Sequence, residues 1–202
     1  MKISPVSFTS SFIRSNKAKN NLTNKKENVN FVRYEDENAD DVHIKTRYKP
    51  SFRHEEGLFA ECIYNDFKDN RIALNPNIKF YGIESSEGDI LALMETKSNV
   101  RMRYNTDLNK PDKNGLELSL MCVSSDNSHD NKKRKYSKLG TILVSNAIKQ
   151  ARIEKRNFVV IENSNDAFWQ TIPFFEDIDY GAVKVLYSEN FKKCASKLDQ
   201  TI

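Results

Sequence analysis

A strand–helix–strand unit between residues 116 and 162 constrains the fold of this chain more than any other feature. LELSLMCVSS at 116–125 alternates side chains with the period of a strand, and a polar, basic loop follows it. An amphipathic helix is expected over about residues 139–155, and NFVVIE at 157–162 is typical of a buried strand. The stripe that faces the core consists of Leu143, Ala147 and Ala151, with Val144 and Ile148 beside it. Such a unit indicates a crossover connection within a sheet that a helix covers.

The other segments place more elements around the same sheet. The pattern predicts a helix within 52–70, and a hairpin over 78–97 around the turn signal SSEGD. A further helix begins at Asp166 and is broken or kinked at Pro173, and AVKVLYS at 182–188 is a last strand. The order mixes antiparallel and crossover connections, which predicts an α+β (mixed α/β) fold with helices flanking one central twisted sheet.

Composition is that of one domain with an N-terminal tail. The chain has 202 residues, of which 38% are apolar and 30% charged, and no window of 18 apolar residues that would predict a membrane span. Its three cysteines are widely spaced and predict neither a disulfide framework nor a metal site, so a cytoplasmic protein is expected. Residues 1–50 are interpreted as a disordered tail and acidic linker, and residues 51–202 as the folded domain.

The basic character lies at the N-terminus. Residues 1–30 hold six Lys or Arg and one Glu and are rich in Ser and Asn. Such a segment is either a plain disordered tail or a targeting segment. It resembles the uncleaved signal of bacterial type III secreted effectors, which would imply a virulence role inside a host cell, and it overlaps in composition with organellar transit peptides.

The basic loop before the central helix, KYSKLGT at 135–141, is suited to a phosphate. A helix N-terminus offers unpaired N–H groups and partial positive charge, and Gly140 lets a ligand approach the backbone. With the order of elements, the loop resembles that of the GNAT superfamily of acyl-CoA-dependent N-acyltransferases, over about residues 52–190. Lys135, Lys138 and Gly140 fall on three defining positions, although Lys replaces the usual Gln or Arg and the middle Gly. The resemblance implies that acetyl-CoA is bound at Lys135, Lys138, Leu139, Gly140 and Thr141.

LELSLMCVSS resembles the family's central strand, particularly in its histone-acetyltransferase branch. A Glu near the start of that strand is the general base there, and Glu117 falls on its position. The resemblance implies that Glu117 removes the amine proton and that the backbone of Met121, Cys122 and Val123 pairs with the pantetheine arm. The alternation predicts one face with Leu116, Leu118, Leu120 and Cys122, and the opposite face with Glu117, Ser119, Met121 and Val123.

NFVVIENSNDAFWQTIPFFEDIDY, residues 157–180, resembles a third family stretch. By this likeness, Asn163 or Asn165 would contact the cofactor. The family usually has Tyr, a proton donor for the departing thiolate, where this chain has Phe175. Tyr180 is then the candidate acid, with Tyr136, a water or unassisted departure as alternatives. Trp169 and the pair Phe174–Phe175 are expected in the core.

The leading hypothesis is an acetyl-CoA-dependent N-acetyltransferase acting on a protein lysine, a protein N-terminus or a small amine. If the tail is a secretion signal, the acceptor is a host protein. The alternative is a catalytically inactive GNAT-like module that binds a partner protein. An acyl-homoserine-lactone synthase would share the fold, but that family carries an N-terminal Trp and this chain has none before Trp169. Nucleic acid is not an expected partner, because the basic tail lacks interleaved aromatic residues.

Overall fold

The computed structural model describes residues 11–34, 76–102, 114–127, 131–162, 167–178 and 183–202. Nine strands of this part form one sheet in the order β6-β1-β2-β3-β4-β5-β7-β9-β8. The strands are β1 Ser11–Asn20, β2 Lys25–Tyr34, β3 Ile78–Ser85, β4 Ile90–Val100, β5 Gly115–Val123, β6 Tyr136–Ser137, β7 Phe158–Glu162, β8 Glu176–Ile178 and β9 Val183–Tyr187. The helices of this part are α1 Leu139–Ile153, α2 Ala167–Gln170 and α3 Phe191–Thr201.

The central crossover unit is confirmed. β5 and β7 are parallel, and α1 connects them, whereas the other strand pairs of the described sheet are antiparallel. The predicted stripe of α1 is buried in one large apolar cluster together with residues of α3. The sheet therefore has a helix face, which α1 and α3 cover, and a second face on the opposite side.

The predicted mixed fold, the hairpin β3–β4 and the strands β5, β7 and β9 are confirmed. The helix predicted from Asp166 is wrong beyond Gln170, because the chain turns before Pro173 and then forms β8. Trp169 and Phe175 pack in or against the core as expected, but Phe174 is 44% exposed and has a positive φ of 68°. No prediction covered α3.

The interpretation of the N-terminus as a disordered tail is corrected for residues 11–34. These residues form the hairpin β1–β2, and β2 pairs with β3 from Val29 to Tyr34. Val29 and Phe31 are buried in the main core, which supplies the apolar surface that the tail interpretation assumed to be missing.

Buried polar side chains explain why the hydropathy of the sequence does not predict β1. Asn146 of α1 is 1% exposed, and its side chain accepts a hydrogen bond from Arg14 and donates one to Asn16. Asn20 is also buried, and its amide donates to Glu27 at 2.7 Å. Buried polar groups with partners stabilise this strand where apolar side chains are few.

A β-bulge in β5 corrects the predicted alternation. Leu118 pairs with Thr96 and Leu120 pairs with Glu95, so Ser119 is an extra residue in β5. An extra residue reverses the faces of every side chain that follows it. Met121 and Val123 therefore pack on the helix face with Leu116 and Leu118, whereas Leu120 and Cys122 join a cluster on the second face.

Some predictions lie outside the described residues: the helix within 52–70, Asn163, Asn165 and Tyr180. No helix in the described ranges is both long enough and apolar enough to cross a membrane.

Candidate active site

The two central strands separate beyond Glu117, and this gap is the starting point of the site. β5 pairs with β7 only from Gly115 to Glu117, although β5 continues to Val123. β5 and β7 lie close together where their pairing begins. This close approach depends on Gly115, because a Cβ there would collide with the Phe158 ring. Among the described strands, the later residues of β5 pair only with β4 on one side. Their other backbone edge is therefore available to an extended ligand.

The N-terminus of α1 carries donors that no side chain of the described residues caps. Ile142 donates the first intrahelical hydrogen bond, to the carbonyl of Lys138 at 2.9 Å, so the N–H groups of Leu139, Gly140 and Thr141 precede the ladder. Lys138 precedes the helix in the left-handed conformation, with φ 66°, and makes no side-chain cap. This backbone conformation favours glycine, and the GNAT loop has its middle Gly at the position of Lys138.

Gly140 brings the loop and the open strand together. A Cβ built on Gly140 would lie 3.7 Å from the terminal methyl of Met121 on β5 and 3.3 Å from the ring of Phe168. The side chains of Leu139 and Thr141 are buried, so these two residues offer only their backbone to a ligand. The first turn of α1 thus lies beside the part of β5 that β7 leaves unpaired.

The N-terminal hairpin braces this loop. Asn21 donates from its backbone to the carbonyl of Lys135 at 2.7 Å and from its side chain to the carbonyl of Arg134 at 3.1 Å. Tyr136 donates its hydroxyl proton to Glu27 at 2.8 Å, and its backbone N–H donates to Asn127 at 2.7 Å. The ammonium of Lys135 lies 5.2 Å from the centroid of the Tyr136 ring, within the range of a cation–π contact.

Glu117 lies on the second face, at the last paired position before the strands separate. Its carboxylate accepts a hydrogen bond from the Ser119 hydroxyl at 3.0 Å. The ammonium of Lys97 lies 3.8 Å from Glu117 and 3.5 Å from the buried Glu95. The bulge places Ser119 where it orients Glu117, a contact that the alternating sequence pattern does not indicate.

The site therefore spans both faces of the sheet. The loop at 135–141 and Met121 lie on the helix face, whereas Glu117 lies on the second face. The gap between β5 and β7 connects them through the sheet. A ligand could extend along β5 from the helix N-terminus, while a second reactant approaches the Glu117 side.

The contacts of Tyr136 disfavour it as the alternative acid. Burial, together with its hydrogen bond to Glu27, raises the pKa of Tyr136 to about 12, which makes it a weak proton donor. Its strand β6 borders β1, and three strands lie between β1 and β5. The tyrosine is instead a structural anchor of the loop.

No family model matches the sequence, and no curated protein matches it. Solved structures match its fold. An uncharacterized protein, bh2621, from Bacillus halodurans has a TM-score of 0.56 at 10% identity, over 95% of this chain and 99% of that chain. AtaTR bound with acetyl-CoA has a TM-score of 0.55 at 11% identity, over 82% of this chain and 96% of that chain.

A third structure carries the family name. YhbS, a GNAT family N-acetyltransferase from Escherichia coli in complex with CoA, has a TM-score of 0.52 at 11% identity, over 80% of this chain and 82% of that chain. At such low identity the likeness concerns the backbone arrangement, and the chain has the GNAT fold.

Proposed function

We propose that this protein is an acetyl-CoA-dependent N-acetyltransferase with Glu117 as its general base. The observation that carries the proposal is the separation of β5 and β7 beside an uncapped helix N-terminus. Acetyl-CoA needs a site for its phosphates and a groove for its extended arm, and the described residues offer both next to each other.

The proposed contacts with acetyl-CoA combine the geometry of the loop and β5 with the family resemblance. The pyrophosphate would accept hydrogen bonds from the N–H groups of Leu139, Gly140 and Thr141, with the ammonium groups of Lys135 and Lys138 nearby. The pantetheine arm would pair with the open backbone edge of Met121, Cys122 and Val123. Gly140 fits this role, since its missing side chain leaves the first turn of α1 close to Met121. Asn163 and Asn165 are proposed as further contacts by the family resemblance.

The proposed reaction needs one base and one orienting group. The neutral amine attacks the thioester carbonyl, a C–N bond forms, the C–S bond breaks, and the amine proton passes to Glu117. Ser119 holds the carboxylate, and Lys97 lies between it and the carboxylate of Glu95. Backbone N–H groups of the open β5 edge would stabilise the developing oxyanion. Tyr180 is the proposed donor to the thiolate.

The test uses a panel of primary amines, because the acceptor is a protein lysine, a protein N-terminus or a small amine. Release of the CoA thiol is measured with spermidine, a lysine peptide and a peptide with a free N-terminus. Glu117→Gln should lower kcat about 100-fold, since a positioned base contributes this much or more. Ser119→Ala, which removes only the orienting hydroxyl, should lower kcat less. The Kd of acetyl-CoA should stay unchanged in both variants.

Two results would contradict the proposal in different ways. Full turnover in Glu117→Gln would remove this residue from the mechanism. Binding of acetyl-CoA without transfer to any amine would favour the inactive, partner-binding module. Phe175 supports the hypothesis of an inactive module, because it packs against the core and has no proton to donate.

Secretion by a type III system into a host cell stays a proposal based on composition. Because residues 11–34 are strands, a deletion of residues 1–30 would destroy the sheet and could not test delivery. A deletion of residues 2–10 leaves β1 and β2 in place. We expect it to block delivery and leave the Kd of acetyl-CoA unchanged, and delivery that survives the deletion would contradict a secretion signal within residues 2–10.

A further inference from the structure

The hairpin β1–β2 extends beyond the rest of the sheet. The last residue of β3, Ser85, pairs with Val29, so residues 25–28 of β2 and their partners in β1 lie past the end of β3. Four residues at about 3.3 Å each give an extension of about 13 Å. β6 covers only Lys19 and Asn20 of this part of β1.

The turn at the end of the hairpin is ordered by its own hydrogen bonds. The side-chain oxygen of Asn20 accepts bonds from the backbone N–H groups of Leu22 at 2.9 Å and Thr23 at 3.3 Å. The amide of Asn20 donates to Glu27, and Asn21 holds the turn to the loop before α1. Leu22 at the apex is nevertheless 70% exposed. Other large apolar side chains of the described residues are exposed as well, including Phe12 and Ile153. Leu22 differs from them in its place at the apex of an ordered turn beside exposed lysines.

Three lysines near this apex project from one face of the hairpin. Lys17 and Lys19 alternate with the buried Ala18 and Asn20, so they project from the opposite face, and Lys26 lies directly across from Lys19. Like charges at directly opposite positions destabilise a strand pair. No carboxylate of the described ranges forms an ion pair with these three lysines, and Glu27 is on the other face, bound to Tyr136.

We propose that the tip of β1–β2 is a docking surface for an anionic lipid bilayer. Leu22 would enter the acyl boundary of the bilayer, and Lys17, Lys19 and Lys26 would face the anionic headgroups. The composition favours lipid over nucleic acid. Residues 17–26 contain no aromatic side chain for base stacking and no Arg for bidentate phosphate contacts. An aliphatic apex gains nothing from a phosphate backbone, whereas it gains from transfer into lipid.

Docking through this apex would fix the orientation of the protein on the membrane. Asn21 joins the apex to the loop at Arg134 and Lys135, so docking would place the candidate phosphate loop close to the membrane surface. The surface does not depend on acetyltransferase activity, and a failure of either proposal leaves the other intact.

The experiment is flotation of the full chain with vesicles of phosphatidylcholine containing about one quarter phosphatidylserine, compared with pure phosphatidylcholine. We expect binding only to the anionic vesicles, and less of it as salt rises. A variant with Lys17→Gln, Lys19→Gln and Lys26→Gln should bind at least about tenfold less, because each lysine near such a surface contributes about a factor of five. Leu22→Asp should reduce binding, and Leu22→Trp should increase it.

A matched control removes the same charge elsewhere. Lys192, Lys193 and Lys197 are exposed on α3, an element separate from the hairpin, and their replacement by Gln should leave vesicle binding within about twofold of the wild type. Equal losses in the two triple variants would mean attraction by net charge alone and would overturn the proposal. Absence of vesicle binding would overturn it as well. Tight binding of a single-stranded RNA oligonucleotide that is lost in the hairpin variants, without vesicle binding, would assign the surface to nucleic acid.

Discussion

The two ends of α1 each have a lysine in the left-handed conformation. Among the described residues, only the C-terminal end has hydrogen-bond partners for its terminal backbone groups. At the C-terminus, Lys155 has φ 55°, and the N–H groups of Lys155 and Arg156 donate to the carbonyls of Arg152 and Ala151. These two bonds form a complete Schellman motif. At the N-terminus, Lys138 has φ 66°, yet no side chain in the described part of the chain caps the N–H groups that follow it. One end closes the helix, and the other presents donors.

The side chains repeat this contrast. Glu154 accepts hydrogen bonds from Lys79 at 2.7 Å, from Gln150 at 3.0 Å and from Arg156 at 2.8 and 3.0 Å. Arg156 also donates to Asn99 and Asn114. Within the described ranges, no comparable cluster pairs with Lys138, which is exposed. Backbone strain is often stored where a ligand makes use of it, so this contrast supports the proposal that the N-terminal end of α1 is the functional one.

The largest effect on stability is expected at the paired end, for Glu154→Gln. Burial alone would raise the pKa of Glu154, but the hydrogen bonds from Lys79, Gln150 and Arg156 outweigh it and lower the pKa to about 2. The substitution should cost about 2 kcal/mol at pH 7, measured by urea denaturation, without changing the Kd of acetyl-CoA.

The pH dependence of this loss has a definite sign. The pKa of Glu154 is lower in the folded than in the unfolded protein, so its contribution is complete above the unfolded value of about 4.5. The contribution should disappear as the pH falls toward 2, and the two proteins should then converge in stability. A difference that stays constant down to pH 2 would contradict the pairing.

A smaller and more selective effect is expected from the matched pair Lys138→Gly and Lys155→Gly. Both changes relieve a left-handed non-glycine residue, so each should raise the free energy of unfolding by up to about 1 kcal/mol. Only Lys138→Gly should weaken acetyl-CoA, by about threefold to tenfold, because it removes a cation beside the proposed phosphate site. Equal affinities in the two variants would remove the functional distinction between the two ends of α1.

The sequence pattern was informative for the central crossover unit, although it missed the buried apolar residues of β2 and α3. The stripe of α1, the alternation at the start of β5 and the run in β7 all follow from the period of apolar side chains. Glu117 and the loop at 135–141 entered the candidate site through family resemblance, and the structure places them on opposite faces of the same gap.

The bulge, β1 and the bracing of the loop depend on contacts that no local pattern encodes. The bulge at Ser119 depends on the register with β4, so the reversal of faces at Met121 and Cys122 was not visible. β1 is held by polar groups such as Asn20 and by the Asn146 network, which a hydropathy argument interprets as solvated. Asn21 and Glu27 brace the loop from more than a hundred residues away in the chain. Sequence spacing alone cannot indicate such contacts.

The central claim is that the uncapped N-terminus of α1 binds the phosphates of acetyl-CoA. Calorimetric titration of the purified protein with acetyl-CoA tests it most directly, with Gly140→Glu and Gly140→Ala as a matched pair. The alanine Cβ would lie 3.3 Å from the Phe168 ring, and a small shift of that side chain would accommodate it. Gly140→Ala should therefore largely preserve binding. The glutamate adds bulk and negative charge at the phosphate site and should weaken binding more than about 100-fold. Salt-sensitive binding that is lost only in Gly140→Glu would confirm the claim, whereas equal binding by the wild type and Gly140→Glu, or no binding by either, would contradict it.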